Sequence, residues 1–281
     1  MKIAVMTDST AYITPEEREK YHIHMVPLSV NFQDASYREE LDITTEAFYQ
    51  KLAQEKELPS TSQPSLGEIT EKLEELAEDY DAVISVHLSS GISGTYQTMV
   101  SAGEMVEGID VYAYDSEMSC MIQGFYTLEA AAMAQNAAVS PEDILARMDE
   151  MKKTVRAYFM VDDLTNLQKG GRLSNAQAVV GSLLQIKPIL HFENKLIVPF
   201  EKIRTKKKAI SRMLGLLDEE VNAGKELRVV FIHGNDRPYA EKLKADFQEK
   251  HPEIETSISY FGPVIGTHLG QGAIGVAWYE K

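Results

Sequence analysis

The sequence has very little cysteine and no long apolar run. A single cysteine, Cys120, stands among 281 residues, which excludes a disulfide framework and a zinc cluster built on cysteines. No stretch of about 18 consecutive apolar residues occurs, so a membrane-spanning helix is not expected. The amino terminus turns polar at Thr7, and we therefore expect no signal peptide and a cytoplasmic protein.

Positive charge is scarce as well. Lys and Arg number 28 against 43 Asp and Glu, for a net charge of -15, and this excludes sequence-independent binding to nucleic acid, which requires a basic surface. One basic cluster interrupts the acidic chain, with five positive charges in the seven residues 202–208. Such a run is either a solvated helix face or a docking patch for a partner, and Arg204, Lys206 and Lys207 are its candidates.

Nucleotide-binding motifs are missing or stand in the wrong context. No Walker A pattern occurs, and residues 270–275 match the dinucleotide fingerprint Gly-x-Gly-x-x-Gly. That fingerprint works by opening a helix inside a βαβ unit, whereas only six residues follow Gly275. We therefore expect no cofactor. His22 and His24 could share one face of a strand, but no third ligand lies nearby, so no metal site is expected either.

Short β-branched runs alternate with amphipathic segments along the whole chain. This alternation predicts an α/β protein with largely parallel sheets, divided into domains of residues 1–155 and 156–281. Capping boxes at Thr14–Glu17 and Ser65–Glu68 predict two helix starts. Farther along, we predict a helix from Ser174 through Leu184 and a two-residue hairpin turn at Glu193-Asn194.

Two loops rich in hydroxyl groups each precede a predicted helix. Residues 59–65 read Pro-Ser-Thr-Ser-Gln-Pro-Ser, and residues 89–95 read Ser-Ser-Gly-Ile-Ser-Gly-Thr. A helix start with free amides and hydroxyl donors can bind a carboxylate or phosphate. The same residues can simply cap the helix. A third alternative is a nucleophile elbow, since the second loop is one residue away from Gly-x-Ser-x-Gly, and a hydrolase would then use Ser93 with His268.

Seven short motifs follow one another along the chain. They are residues 8–11 (Asp-Ser-Thr-Ala), 26–28 (Val-Pro-Leu), 61–65, 89–97, 169–174 (Lys-Gly-Gly-Arg-Leu-Ser), 187–190 (Lys-Pro-Ile-Leu) and 262–268 (Gly-Pro-Val-Ile-Gly-Thr-His). In their order and spacing the motifs resemble the DegV family of bacterial fatty-acid-binding proteins, and the match runs nearly end to end. One departure is Gln271, where the family is expected to have proline.

The resemblance implies two α/β domains with one long-chain fatty acid held between them. Hydroxyls that map onto Thr61 and Ser93 would bind the carboxylate, together with Ser62, Gly94 and His268. Arg172 and Thr267 would lie near the head group. The resemblance further implies a carrier that is not itself an enzyme and that presents the carboxylate to a separate ATP-binding fatty-acid kinase subunit, which makes the acyl phosphate. The absence of a nucleotide motif in this sequence agrees with that division of labour.

Overall fold

The computed structural model describes residues 1–174 and 187–281. These residues divide into two compact units, one of residues 1–42 and 61–153 and the other of residues 43–60 and 154–281. Each unit is built from strands and helices, as an α/β protein requires. The division differs from the expected one because residues 43–60 belong to the second unit. The helix predicted from Ser174 lies outside the described residues except at its first residue.

Helices and strands alternate along most of the chain. The described helices are α1 (Pro15–Tyr21), α2 (Thr45–Leu52), α3 (Leu66–Ala77), α4 (Thr95–Gly103), α5 (Cys120–Ala134), α6 (Pro141–Thr154), α7 (Thr165–Lys169), α8 (Lys206–Asn222), α9 (Arg237–Lys250) and α10 (Pro263–Leu269). The described strands are β1 (Ile3–Asp8), β2 (Ile23–Val26), β3 (Ser29–Asn31), β4 (Ser36–Arg38), β5 (Ser60–Ser62), β6 (Ala82–His87), β7 (Asp110–Asp115), β8 (Arg156–Met160), β9 (Ile189–Glu193), β10 (Leu196–Glu201), β11 (Leu227–His233), β12 (Glu255–Tyr260) and β13 (Ile274–Glu280). The alternation is interrupted by consecutive elements of one kind at β2 to β4, at α5 and α6, and at β9 and β10.

The first unit contains a fully parallel sheet of four strands in the order β2-β1-β6-β7. Helices α1, α3 and α4 lie between strands along the chain, so each strand re-enters the sheet in the same direction, as in other βαβ units. A smaller sheet has the order β4-β3-β5. The parallel arrangement expected from the sequence is confirmed for this unit, and it brings the carboxyl ends of β1, β6 and β7 to one edge.

Both predicted capping boxes are present in this unit. The Thr14 and Ser65 hydroxyls accept from the amides of Glu17 and Glu68, whose carboxylates return to the amides of the capping residues. The apolar residues that recur at helical spacing in α3 are Leu66, Ile69, Leu73 and Leu76. The last three are buried, whereas Leu66 is 40% exposed. The buried three pack against β1 and β6 in a core that also includes Ala4, Met6, Val83, Met99 and Ala102.

The second unit has a six-stranded sheet in the order β10-β9-β8-β13-β11-β12. Here the expectation of a largely parallel sheet needs correction, because only β11 and β12 pair in parallel while the other pairings are antiparallel. A tight turn makes β9 and β10 antiparallel, and β13 enters between β8 and β11 in the opposite direction. Alternation of helices and strands along a chain predicts layers, but it leaves strand direction open.

The segment 43–60 joins the second unit through α2. The Tyr49 hydroxyl donates to the Phe261 carbonyl at 2.9 Å. A Cβ atom on Gly266, in α10, would lie 2.6 Å from that same Tyr49 oxygen and 2.9 Å from a ring carbon of Phe48. Glycine at position 266 therefore allows α2 and α10 to approach each other closely. The sequence carries no local signal for this long-range contact.

Two turns test the sequence predictions directly. The β9–β10 hairpin forms, but its turn residues are Asn194 and Lys195, both with positive φ, one position later than predicted. Gly270 and Gly272 also have positive φ, and the chain after them enters strand β13. The helix that a dinucleotide fingerprint requires does not follow these glycines. Among the helices that the structure describes, none is long and apolar enough to cross a membrane.

Candidate functional site

The Ser89–Thr95 turn connects β6 to α4 at the carboxyl edge of the parallel sheet. The amides of Ile92 and Ser93 both donate to the Ser89 carbonyl, which winds the turn tightly. The half-buried Ser93 hydroxyl lies 2.9 Å from the Thr95 hydroxyl and accepts from the Thr95 amide at 3.3 Å. Ser93 thus contributes to capping α4, and its hydroxyl remains next to the amides that begin the helix.

The second hydroxyl-rich loop lies directly against the first. Gln63 donates from Nε2 to the Thr98 hydroxyl at 2.6 Å, and a Cβ atom on Gly94 would collide with Gln63 Oε1. Glycine at position 94 allows the Gln63 side chain to lie directly against the start of α4. The structure brings the loop that contains Thr61 and Ser62 together with the loop that contains Ser93 and Gly94. The contact depends on Gln63 and Thr98, two residues to which sequence reasoning gave no role.

Thr61 and Ser62 sit differently within their loop. Thr61 is half-buried, whereas Ser62 is exposed and accepts a hydrogen bond from Asn31 Nδ2 at 3.3 Å. Both belong to β5, the outer strand of the small sheet. The predicted carboxylate-binding hydroxyls of this unit are thus supported by two short structured segments, a β-strand and a capped turn.

A fully buried polar network lies beneath the Ser89–Thr95 turn. His87 Nδ1 lies 3.0 Å from Asp8 Oδ2, and His87 Nε2 lies 2.7 Å from the Ser85 hydroxyl. Burial alone would raise the pKa of Asp8, but the hydrogen bond and charge of His87, with further hydrogen bonds from Thr10 and Gln123, lower that pKa below its ordinary value. The three residue types are those of a catalytic triad, yet all three side chains are fully buried, so no substrate reaches them.

His268 is the central side chain of the candidate site in the second unit. It lies in α10, is 8% exposed, and its ring packs so closely on Gly170 that a side chain at position 170 would collide with it. Burial and the nearby Arg172 guanidinium lower the pKa of His268 to about 4. The imidazole is therefore neutral at physiological pH, and the Arg172 guanidinium lies near it.

The neighbours of His268 shape the segment from α7 to Ser174. Arg172 Nη1 donates to the Gly170 carbonyl at 2.6 Å, and Asn166 donates from Nδ2 to the Thr267 carbonyl at 3.3 Å. The buried Thr267 hydroxyl donates to the Pro263 carbonyl at 2.9 Å, so it serves the helix itself. Sequence reasoning missed Asn166, which ties α7 to α10.

The basic run 202–208 divides into two kinds of residue. Lys206 is half-buried; its Nζ donates to the Gly272 carbonyl at 2.9 Å and lies 3.5 Å from Asp162 Oδ2. Arg204 and Lys207 are exposed. Lys206 is the first residue of α8 and its long side chain reaches back to these loops, so it holds the second unit together and contributes little to a free basic surface.

The described residues contain no group of three or more His, Cys, Asp or Glu side chains placed to hold a metal ion. Cys120 is fully buried, which raises the pKa of its thiol to about 12 and keeps the thiol protonated. The candidate residues of the first unit offer hydroxyls and amides, and those of the second unit offer an imidazole and a guanidinium. These groups are suited to a carboxylate or another small anion.

Comparison with known proteins places these motifs in a family. The sequence profile of the DegV family, whose members are described as uncharacterised, matches residues 2–281. The protein DegV of Bacillus subtilis is 58% identical over 281 residues, with both chains covered completely. The crystal structure of DegV from Bacillus subtilis, described as a fatty acid binding protein, superposes with a TM-score of 0.95 over the whole of both chains at the same identity of 58%.

A more distant structure shows the same fold. A fatty acid binding DegV family protein from Streptococcus agalactiae matches with a TM-score of 0.92 at 32% identity, covering 100% of this chain and 99% of its own. The similarity thus extends through both units of the chain and persists where two thirds of the residues differ. The chain belongs to the DegV family.

Proposed function

We propose that this protein binds one long-chain fatty acid and presents its carboxylate to a separate ATP-binding kinase subunit, which forms the acyl phosphate. The observation that carries the proposal is the contact between two hydroxyl-rich loops at the start of α4, where Gln63 packs on Gly94 and bonds Thr98. The crystal structures of family members described as fatty acid binding support the choice of ligand.

The head group needs directed donors because a carboxylate loses much of its water when it is bound. Leaving a buried charge without partners is costly, and hydrogen bonds to a charged group contribute about 1.5 to 3 kcal/mol each. Thr61, Ser62 and Ser93 supply hydroxyls, and Gly94 brings the first amides of α4 close to them. In our proposal His268 and Arg172 act near the head group, where they stabilise the charge that develops during phosphoryl transfer.

The acyl chain supplies the affinity. Removing a chain of roughly 16 carbons from water yields on the order of 12 kcal/mol at about 0.8 kcal/mol per CH₂, before the cost of ordering reduces it. A binding protein of this kind needs no nucleotide site of its own. The ATP-dependent step then belongs to the partner, and the function we propose is a cytoplasmic one.

A basic surface for the kinase subunit is proposed at Arg204 and Lys207. Helix α8 begins with three lysines and has no acidic residue in its first turn, an arrangement that opposes the helix dipole and costs stability. Thr205 offsets part of that cost by accepting from the Lys208 amide at 3.4 Å. A sequence that tolerates positive charge there, in a chain of net charge -15, is consistent with a role in binding an acidic partner.

Mass spectrometry under native conditions tests the ligand. Protein purified from bacteria without detergent should carry an added mass equal to one fatty acid, and denaturation should release it. Delipidated protein should then bind a fluorescent fatty acid that unlabelled fatty acid displaces. Absence of both signals would overturn the proposal. Covalent labelling of Ser93 by a fluorophosphonate would instead support a serine hydrolase that uses Ser93 and His268.

A further inference from the structure

The residues Asp8, Ser9 and Thr10 form a motif to which the proposed function assigns no contact. They make up the end of β1 and the single helical turn that follows it, and all three are fully buried. Each side chain reaches a different part of the first unit. Asp8 binds the end of β6, Ser9 donates to Glu39 at 2.5 Å, and the Thr10 hydroxyl lies 3.0 Å from Gln123 Oε1 of α5.

We propose that Asp8 and His87 are positioning residues that hold the Leu88–Thr95 turn in the geometry that receives the carboxylate. This inference rests on the proposed function, because it concerns the loop that carries Ser93. Neither residue touches the ligand in this proposal, since both side chains are fully buried. They act through the backbone of Leu88, the first residue after β6.

Both oxygens of Asp8 are used, and they face donors from two directions. Oδ1 accepts from the amide of Thr10 at 3.0 Å and from its hydroxyl at 2.5 Å. Oδ2 accepts from the Leu88 amide at 3.0 Å and lies 3.0 Å from His87 Nδ1. A carboxylate is the only side chain of this size that can accept at both ends, because an asparagine would turn an NH₂ group toward one pair of donors.

The ionised Asp8 also determines the state of His87. A carboxylate is an acceptor only, so Nδ1 of His87 carries the proton that is shared with Asp8. Its other ring nitrogen, Nε2, lies 2.7 Å from the Ser85 hydroxyl. The His87 ring, at the end of β6, thus contacts Asp8 of β1 and Ser85 of β6, at the position where the turn leaves the sheet.

The constraint passes from Leu88 to Ser93 in a short series of contacts. Ser89 follows Leu88; its amide donates to the Met118 carbonyl at 2.7 Å, and its own carbonyl accepts from the amides of Ile92 and Ser93 at 3.1 and 3.2 Å. Ser90 is held separately, through its amide and hydroxyl, by Asp115. A shift of Leu88 therefore moves the carbonyl that winds the turn and, with it, the Ser93 hydroxyl.

Four variants separate positioning from general stability. Asp8→Asn places an NH₂ opposite the donors. His87→Leu removes both ring contacts, and His87→Asn keeps an N–H near the place of Nδ1. Leu76→Ala is the control, because it opens a cavity at the far end of α3, away from the turn, and lowers stability without touching the network. Each variant is measured by fluorescent fatty-acid displacement, by thermal melting and by ¹H–¹⁵N spectra of residues 88–95.

We expect Asp8→Asn and His87→Leu to raise Kd at least tenfold and to shift the amide resonances of Leu88 and Ser93. His87→Asn should recover affinity to within about threefold of the wild type, since side-chain hydrogen bonds of this kind change affinity by roughly an order of magnitude. Leu76→Ala should melt at a lower temperature and keep its Kd within twofold.

Two results would overturn the inference. One is a folded Asp8→Asn protein with wild-type Kd and unmoved amide resonances; the other is a Kd that follows the melting temperature in all four variants, Leu76→Ala included. If Asp8→Asn does not fold, the Kd of His87→Asn is compared with that of His87→Leu, and equal values would overturn the inference. A wild-type protein that binds no fatty acid would refute the proposed function instead, and in that case the spectra alone still show whether the network holds the turn.

Discussion

The two units differ in the chemistry of their candidate residues. The first unit has hydroxyls and amides that do not titrate near neutral pH, and the hydrogen-bonded pair Asp8–His87 lies fully buried next to the turn that carries Ser93. The second unit has ionisable groups, with His268 near the Arg172 guanidinium. In our proposals the Asp8 carboxylate of the first unit fixes a loop, whereas His268 and Arg172 of the second unit stabilise developing charge. Two buried histidines of one molecule are therefore given different roles.

We expect the strongest loss of fatty-acid affinity when the uncharged donors are removed. Replacing Thr61 and Ser93 together by Ala deletes two hydrogen bonds to the carboxylate, each contributing about 1.5 to 3 kcal/mol, and should weaken fatty-acid binding at least tenfold. Displacement of a fluorescent fatty acid measures the change. Thr70→Ala removes a half-buried hydroxyl of α3 that donates to the Leu66 carbonyl and should leave Kd unchanged. Wild-type affinity in the double variant would contradict the role given to these hydroxyls.

Acid should weaken the second unit through His268 before it affects Asp8. The pKa of His268 falls from 6.5 to about 4 on folding, so between these values the unfolded chain takes up a proton that the folded chain does not. The contribution is full above pH 6.5 and is lost as the pH falls toward 4, by roughly 3 kcal/mol in total. The pKa of Asp8 is lowered on folding, so the stability that its carboxylate contributes is lost only when the pH falls below the unfolded pKa of 3.8.

Urea unfolding of wild type and His268→Gln at pH 7 and pH 5, without ligand, measures this term. The wild type should lose about 2 kcal/mol more than the variant between the two pH values. His24, His191 and His233 also have lowered pKa values, but they remain in both proteins and cancel in the difference. Equal losses would mean that His268 is protonated as easily in the folded state as in the unfolded one.

Alanine substitutions at two glycines, one in each unit, test how closely the helices around them are packed. Gly266→Ala should destabilise by about 1 to 3 kcal/mol, since the new methyl group would meet Tyr49 and Phe48 where α2 packs on α10. Gly67→Ala, in α3 of the first unit, has open space around it and should stabilise by up to about 0.5 to 1 kcal/mol through its higher helix propensity. Urea denaturation of both variants measures the free energy of unfolding. A Gly266→Ala protein as stable as the wild type would refute this description of the α2–α10 contact.

The smallest expected effect concerns the basic surface. Reversing Arg204 and Lys207 to Glu should slow association with the kinase subunit several-fold at low salt and flatten its salt dependence, because charge steering is screened over about 10 Å at 0.1 M. Fatty-acid affinity should stay as in the wild type, and the melting temperature should not fall, because Glu in the first turn of α8 suits the helix dipole. The control places the same charge change on α9, at Lys244 and Lys250.

Surface plasmon resonance at two salt concentrations supplies these rates. Equal association rates for the Arg204/Lys207 reversal and the wild type would remove the docking surface from the proposal. Lys206 is left intact in this experiment. It bonds Gly272 and Asp162, so replacing it would change the stability of the protein as well as its charge.

Local patterns predicted the helix starts and the loops well. The capping boxes at Thr14 and Ser65 form as expected, because a cap involves only residues three positions apart. The hairpin turn came one residue later than predicted, since Asn194 and Lys195 both adopt positive φ. The parallel sheet of the first unit followed from helices alternating with strands, and the same alternation misled in the second unit, where β13 runs against its neighbours.

The α/β class, the helix caps and the hydroxyl-rich loops could be predicted from the amino-acid order, because each of these depends on residues that are neighbours along the chain. Three features arise only when the chain folds: Gln63 joins the two loops, Asp8 binds His87 across 79 positions, and residues 43–60 belong with α10. Such contacts depend on which surfaces pack together when the chain folds, and on how closely a glycine allows two elements to approach. Packing of that kind leaves no periodicity in the sequence.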